Sequence, residues 1–164
     1  MTRKQFISFI TPLHDDLFRL AMAMTGIPDE ANDAVQETLL KLWKARERIP
    51  PDEKEASAYC FKALRLNCYT LLKRRSQINE LQDMELPANH SSDSDVIYSQ
   101  SQTLLLKIIE HLPENQRIVI RLTAMEGCDI SQTARLTGLT EANVRQLLSR
   151  GRKFIRERFD RLND

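Results

Sequence analysis

The chain has 164 residues, 41% apolar and 29% charged, a composition ordinary for a soluble globular protein of one medium or two small domains. Its early apolar patch, Phe6–Ile10, is too short for a secretory signal and no later run approaches a membrane span, so the expectation is a cytoplasmic protein without membrane insertion. The net charge of +1 conceals an uneven layout: +3 over residues 1–78, −5 over 79–103, where no Lys or Arg occurs, and +3 over 104–164.

Four glycines, six prolines and long stretches of Leu, Ala, Glu, Lys, Gln and Arg favour helix. In residues 1–78, Phe6, Ile10, Leu13, Leu17, Leu20, Ala21 and Met24 recur at helical spacing. Thr11-Pro12 suits an N-cap and first helical position, which splits the pattern into a short helix and a longer one. Gly26 and Pro28 end the longer helix. Asp29 is expected to cap the next, running to about Glu47, before Pro50-Pro51 breaks it. A further helix is expected from about Lys54 to Arg75, and no strand-like alternation interrupts this half.

Residues 79–103 include Pro87-Ala88-Asn89-His90-Ser91-Ser92-Asp93-Ser94-Asp95, polar, aperiodic and free of large apolar side chains. Such a stretch cannot bury enough surface to offset its ordering entropy. It reads as a flexible acidic linker, a protease-sensitive joint between two domains that could still pack together. Residues 104–164 open with the apolar run Leu104–Ile109, and Leu112-Pro113 starts a helix that closes at Gly127. From Ile130 follows a helix-turn-helix pattern: Ala134 small against its partner, Gly138 in the tight turn, Thr140 as cap, Val144 and Leu147 buried. An ordinary helical hairpin is the plainer alternative. The expected fold class is all-α, with two small helical domains: an N-terminal helical bundle and a C-terminal four-helix domain with a helix-turn-helix.

The second helix of that pair sets Val144, Leu147, Leu148, Gly151 and Ile155 on one face. The other shows Asn143, Arg145, Gln146, Ser149, Arg150, Arg152 and Lys153, with no acid between Ala142 and Arg156. Those side chains suit base edges and phosphates better than mere solvation. In the helix after Asp29, Ala31, Val35, Thr38 and Leu42 fall on one side. Asp33, Gln36, Leu40 and Trp43 lie opposite, with Glu37 beside them. An apolar pair beside carboxylates reads as a partner surface, although Trp43 could equally pack under the first helix, and Leu39 could serve either face. The third long helix carries Lys62, Arg65, Lys73, Arg74 and Arg75 with Tyr59, Phe61 and Tyr69 interleaved, a mixture suited to single-stranded DNA, although some of the rings must be core. Cys60, Cys68 and Cys128 form no C-x-x-C pair and read as buried or half-buried free thiols. His14, His90 and His111 are isolated, and no catalytic constellation, metal site or cofactor loop is expected.

Leu112-Pro-x-x-Gln-Arg117, Glu126-Gly127, Ala134 to Gly138, Thr140-Glu-Ala-Asn-Val-Arg145 and Leu148-Ser-Arg-Gly-Arg152 resemble the C-terminal domain of bacterial sigma factors, which reads the −35 promoter element. The LuxR-type helix-turn-helix looks similar over this span. Asp33-Ala-Val-Gln-Glu-Thr38 followed by Leu42-Trp43 resembles the sigma signature on the helix that grips the clamp helices of the polymerase's largest subunit. The resemblance covers both halves and is similar to the extracytoplasmic-function subgroup. It implies region 2 over residues 1–78 and region 4 over 104–164. It implies core RNA polymerase (clamp helices and the flap of the second-largest subunit), promoter DNA and an anti-sigma factor as partners. The third helix and the loop before it, about 48–54, would bind the −10 element as it melts. Asn67 fits the family's R-N-x-x-x-D, but Leu66 and Leu71 replace its Arg and Asp. The linker would thread the polymerase's RNA path. A free-standing helix-turn-helix regulator and a helical adaptor are the rival readings.

Overall fold

The computed structural model describes residues 1–82 and 99–163, so most of the acidic stretch, with His90, lies outside the described residues. All regular structure among the described residues is helical: α1 (Arg3–Phe9), α2 (His14–Thr25), α3 (Pro28–Lys44), α4 (Glu53–Gln82), α5 (Gln100–Glu110), α6 (Glu114–Ile120), α7 (Ile130–Thr137) and α8 (Glu141–Asn163). None of these helices is long and apolar enough to cross a membrane.

Local chemistry fixes most boundaries. Thr2 and Gln5 close a reciprocal capping box on α1, and Ser99 and Gln102 do the same on α5. Pro12 lies inside a single 3-10 turn, Thr11–Leu13, so Thr11 does not cap α2. Asp29 does not cap α3 either. Pro28 occupies the first helical position, where its missing N–H costs nothing, and Asp29 and Glu30 fall in the first turn beside the positive end of the helix dipole. α3 stops at Lys44, followed by a 3-10 turn over Arg46–Arg48. α4 runs past Arg75 into the expected linker because Ser76–Gln82 contains neither Gly nor Pro.

The second half builds the expected helix-turn-helix. Asp129 caps α7 by accepting the Gln132 N–H at 2.7 Å, and Thr140 caps α8 by accepting the Asn143 N–H at 3.1 Å. Between them Gly138 sits at φ +74°, where a Cβ would be strained, and its N–H closes α7 on the Ala134 carbonyl. α6 does not continue regularly to Gly127: one π turn, Arg121–Met125, intervenes. α8 crosses α6 at Gly151, where a Cβ would stand 3.0 Å from Ile120 Cγ1.

Three apolar clusters hold the described residues together. Phe6, Ile10, Leu42, Ile49, Ala56 and Cys60 join α1, α3 and α4. Ile109, Leu112, Val119, Ile120, Val144 and Leu148 centre the C-terminal half. The third spans both halves: Leu17, Leu20, Met24, Phe61, Leu64 and Cys68 share one core with Ile118, Leu122, Cys128 and Leu136. The two basic halves therefore lie packed on one another.

All three cysteines are free and buried, and burial pushes the thiols of Cys60 and Cys68 up to about 12. Because the thiolate is the reactive form, these two should resist a thiol reagent at mildly alkaline pH in the folded chain and react at once in denaturant. An Ellman titration with and without denaturant checks this. Rapid native labelling of Cys68 would show that the shared core opens readily.

Candidate nucleic-acid interface

The α8 surface follows from its buried stripe. Val144 is 0% and Leu148 3% exposed against α6, while Leu147 and Ile155 are half-buried. That anchoring turns Asn143, Arg145, Gln146, Ser149, Arg150, Arg152 and Lys153 outward, and all seven are exposed. Among the described residues the single ion pair on this face is Arg145–Glu141, 3.6 Å apart and open to water on both sides. So long and exposed a pair holds the guanidinium weakly and leaves it free for an outside acceptor.

The eight residues expected to meet melted DNA separate on α4. Tyr59, Lys62, Tyr69 and Lys73 share one exposed stripe with Leu66, at successive spacings of three and four, and Arg74 is exposed beside them. Phe61 is not on it. Its ring is fully buried in the shared core, with the Arg135 guanidinium 5.9 Å from its centroid, so the expectation of a DNA-facing ring is corrected. Arg65 is half-buried and donates to the Leu136 carbonyl at 2.8 Å, and desolvation lowers its pKa. Arg75 pairs with Glu30 at 2.9 Å and bonds the Thr25 carbonyl at the negative end of α2. Beside the exposed stripe runs a cleft of about 320 Å³ between α3 and α4, lined by Lys41, Leu42, Tyr59, Leu66 and Asn67 among others. Asn67 pins the two helices there, donating to the Ala34 carbonyl at 3.2 Å and to Thr38 Oγ1 at 3.1 Å. Lys41 and Leu66 border this cleft, a placement that their spacing alone does not give. A leucine 58% exposed inside a basic and aromatic stripe is a signal only once the buried side of α4 is known.

On α3 the stripe Ala31, Val35, Thr38 and Leu42 is buried, as its spacing predicts. Asp33, Gln36 and Glu37 are exposed, and Leu40 is 54% exposed. The Lys41 ammonium 2.8 Å from Glu37 helps to hold that carboxyl below its ordinary range. Trp43 divides its surface. It is half-buried, meets Phe6 edge-on at 5.2 Å and carries the Arg46 guanidinium 4.6 Å above its ring. The packing reading of Trp43 thus holds for much of the ring.

The geometry places a helix-turn-helix with an exposed basic helix in one half and a basic aromatic helix beside an acidic face in the other. Two sequence models agree with that division: "Sigma-70 region 2" matches residues 9–78 and "Sigma-70, region 4" matches residues 102–155. The chain belongs to the sigma-70 family. Within it, the chain is an extracytoplasmic-function sigma factor. It is 27% identical to the ECF RNA polymerase sigma factor SigL of Mycobacterium tuberculosis over 135 residues, which cover 80% of this chain and 76% of SigL. It is 24% identical to the RNA polymerase sigma factor SigV of Bacillus subtilis, across 94% of this chain and 91% of SigV. The fold matches the sigma factor RpoE of Bartonella quintana, solved in complex with the anti-sigma factor NepR. That match has a TM-score of 0.63 at 22% identity and covers 96% of this chain and 98% of the other. A sigma factor directs core RNA polymerase to promoters to initiate transcription, and that is the function of this chain. The free-standing regulator is not favoured, because the region 2 match accounts for a half that such a regulator lacks.

Proposed function

We propose that α8 reads the −35 element, the exposed stripe of α4 holds the melted −10 element, and the outer face of α3 docks on core polymerase. The observation that carries this reading is the exposed face of α8, polar and basic with no acid between Ala142 and Arg156, anchored from behind by Val144 and Leu148. In this assignment Arg145, Gln146, Ser149 and Arg150 meet base edges, Asn143 flanks them, and Arg152 and Lys153 hold phosphates. Tyr59, Lys62, Tyr69, Lys73 and Arg74 meet single-stranded DNA by stacking and charge, with Arg65 and Arg75 joining only when their present partners release them. Asp33, Gln36, Glu37, Leu40 and the exposed edge of Trp43 face the clamp helices of the largest subunit, and region 4 also meets the flap of the second-largest. Residues 1–78 and 104–164 act as separate modules, and the mechanism is binding rather than bond chemistry. The setting is the cytoplasm, where core polymerase works, and an anti-sigma factor holds the chain inactive.

Binding to core polymerase tests the α3 assignment. Leu40→Ala or Gln36→Ala should weaken it by about 1–3 kcal/mol with the melting temperature unchanged. Trp43→Ala should instead lower the stability of the free chain by about 2 kcal/mol, through loss of its packing on Phe6. If Leu40→Ala and Gln36→Ala both bind core as wild type does, this face is not the dock.

A further inference from the structure

Two groups of polar side chains fasten the halves to one another, and they differ in charge balance. In the first, the Asp16 carboxylate lies between Arg19, at 2.9 Å, and Arg135, at 2.7 Å, and also accepts from Gln132 Nε2 at 2.9 Å. Both cations there share one carboxylate. In the second, Arg75 of α4, Arg117 of α6 and Arg121 of the π turn line one cleft of about 320 Å³, with Met24, Ile27 and Leu72 as its apolar lining. All three arginines are half-buried, and the carboxylate in the lining, Glu110, is exposed.

These three cations are poorly answered. Among the described residues, Arg75 alone of the three has a carboxylate within salt-bridge distance, Glu30 at 2.9 Å. The C-terminal carbonyls of α2 account for two of the guanidinium groups: Thr25 accepts from Arg75, and Ala23 from Arg121 at 3.2 Å. They do not account for Arg117, whose bond to the Glu110 carbonyl is long, at 3.4 Å. Desolvation and the charges of Arg117 and Arg75 together lower the pKa of Arg121, as repulsion among like charges must. Each guanidinium offers five N–H donors in a planar fork, so Arg117 and Arg121 have more to give than one bond each. Arg121 also opens the π turn, a helix irregularity frequent at functional sites.

We propose that this cleft binds a diphosphate group, inorganic or carried by a nucleotide, held by Arg117 and Arg121 and aided by the charge of Arg75. Planar forks facing a shared space suit a multiply charged anion, whose oxygens take bidentate arginine bonds. The volume falls at the small end of ligand pockets, about 300–1,000 Å³, and Ile27 and Leu72 offer an apolar wall to an attached nucleoside. Since the lining comes from both halves, the site is complete only while they are packed, and its ligand stabilises the packed chain. None of this depends on which surfaces read DNA.

The experiment is calorimetric titration of the full chain with inorganic phosphate, inorganic diphosphate and adenosine diphosphate, together with melting temperatures. Diphosphate should bind once per chain, about tenfold or more tighter than phosphate. A hundredfold excess over its Kd should raise the melting temperature by about 5–10 °C. Arg117→Gln and Arg121→Gln should each weaken binding about tenfold or more and remove most of that gain. Without ligand, Arg117→Gln should melt no lower than wild type, because it relieves repulsion and loses only a long bond. Arg150→Ala, on the α8 face, should bind diphosphate as wild type does. Adenosine diphosphate binding tighter than diphosphate places the nucleoside on the apolar wall, and equal or weaker binding assigns the site to the free anion; either supports it. Diphosphate that binds no tighter than phosphate, or that is lost in Arg150→Ala and kept in both cleft variants, overturns the proposal. So does a lower melting temperature of ligand-free Arg117→Gln, which would make that arginine a structural fastening.

Discussion

Phe61→Ala should cost about 3–5 kcal/mol of stability, among the largest effects of any single truncation in the chain. The ring is fully buried in the cluster that, among the described residues, draws on both halves. Its removal forfeits the transfer free energy of an aromatic side chain and leaves a cavity that rigid helices on both sides cannot fill. Against a total stability of about 5–15 kcal/mol, such a loss takes much of the margin. Urea denaturation of wild type and variant gives the difference directly. Tyr59→Ala supplies the contrast. Tyr59 is 38% exposed on the basic stripe, so its loss should change stability by less than about 1 kcal/mol while weakening single-stranded DNA binding by about 1–3 kcal/mol. If Phe61→Ala left stability unchanged and impaired DNA melting, the ring would belong to the DNA surface after all.

The second large effect is expected on α8. If Arg145 makes a bidentate contact to guanine, Arg145→Ala should cost about 1–3 kcal/mol and relax preference at one position of the upstream element. Its present partner Glu141, at 3.6 Å and exposed, is too weakly held to compete with a guanine edge. Arg150→Ala should relax a different position. Lys153→Ala should weaken all sequences about equally and lower the slope of log affinity against log salt by about one unit, as loss of one phosphate contact does. A promoter library transcribed by wild type and each variant separates these behaviours. An upstream preference unchanged at every position in both Arg145→Ala and Arg150→Ala would remove α8 as the reader.

Much of this was legible in the sequence because it rests on short-range periodicity. Ala31, Val35, Thr38 and Leu42 are buried because 100° per residue puts them on one side of α3, and that angle needs no tertiary knowledge. Gly138 at positive φ and Thr140 capping α8 follow equally from local chemistry. Pro28 and Asp29 show how a local reading can miss by two positions, since the cap is Ile27. Proline at the first helical position and an acid in the first turn are both helix-start signals, and only the backbone decides which residue is the cap.

The partner of Asp16 was not legible. Gln132 and Arg135 lie 116 and 119 residues away, and no period or spacing links such positions. Phe61 and Arg65 were misleading for the same reason: α4 presents two faces at once, one to solvent and one to α2 and α7. A ring or a cation between basic residues looks alike on either. Trp43 sits where faces meet: its contact with Arg46 is local, whereas that with Phe6 depends on how α1 packs against it.

The most direct test of the account is transcription reconstituted from core RNA polymerase, the purified chain and genomic DNA, with start sites mapped across the genome. Discrete starts that are absent with core alone and share two sequence elements upstream are the expected result. The preference at the farther element should shift in Arg145→Ala, and the starts should fade in Leu40→Ala as core binding weakens. Starts that are the same with and without the chain, or shared elements that no α8 variant alters, would contradict it.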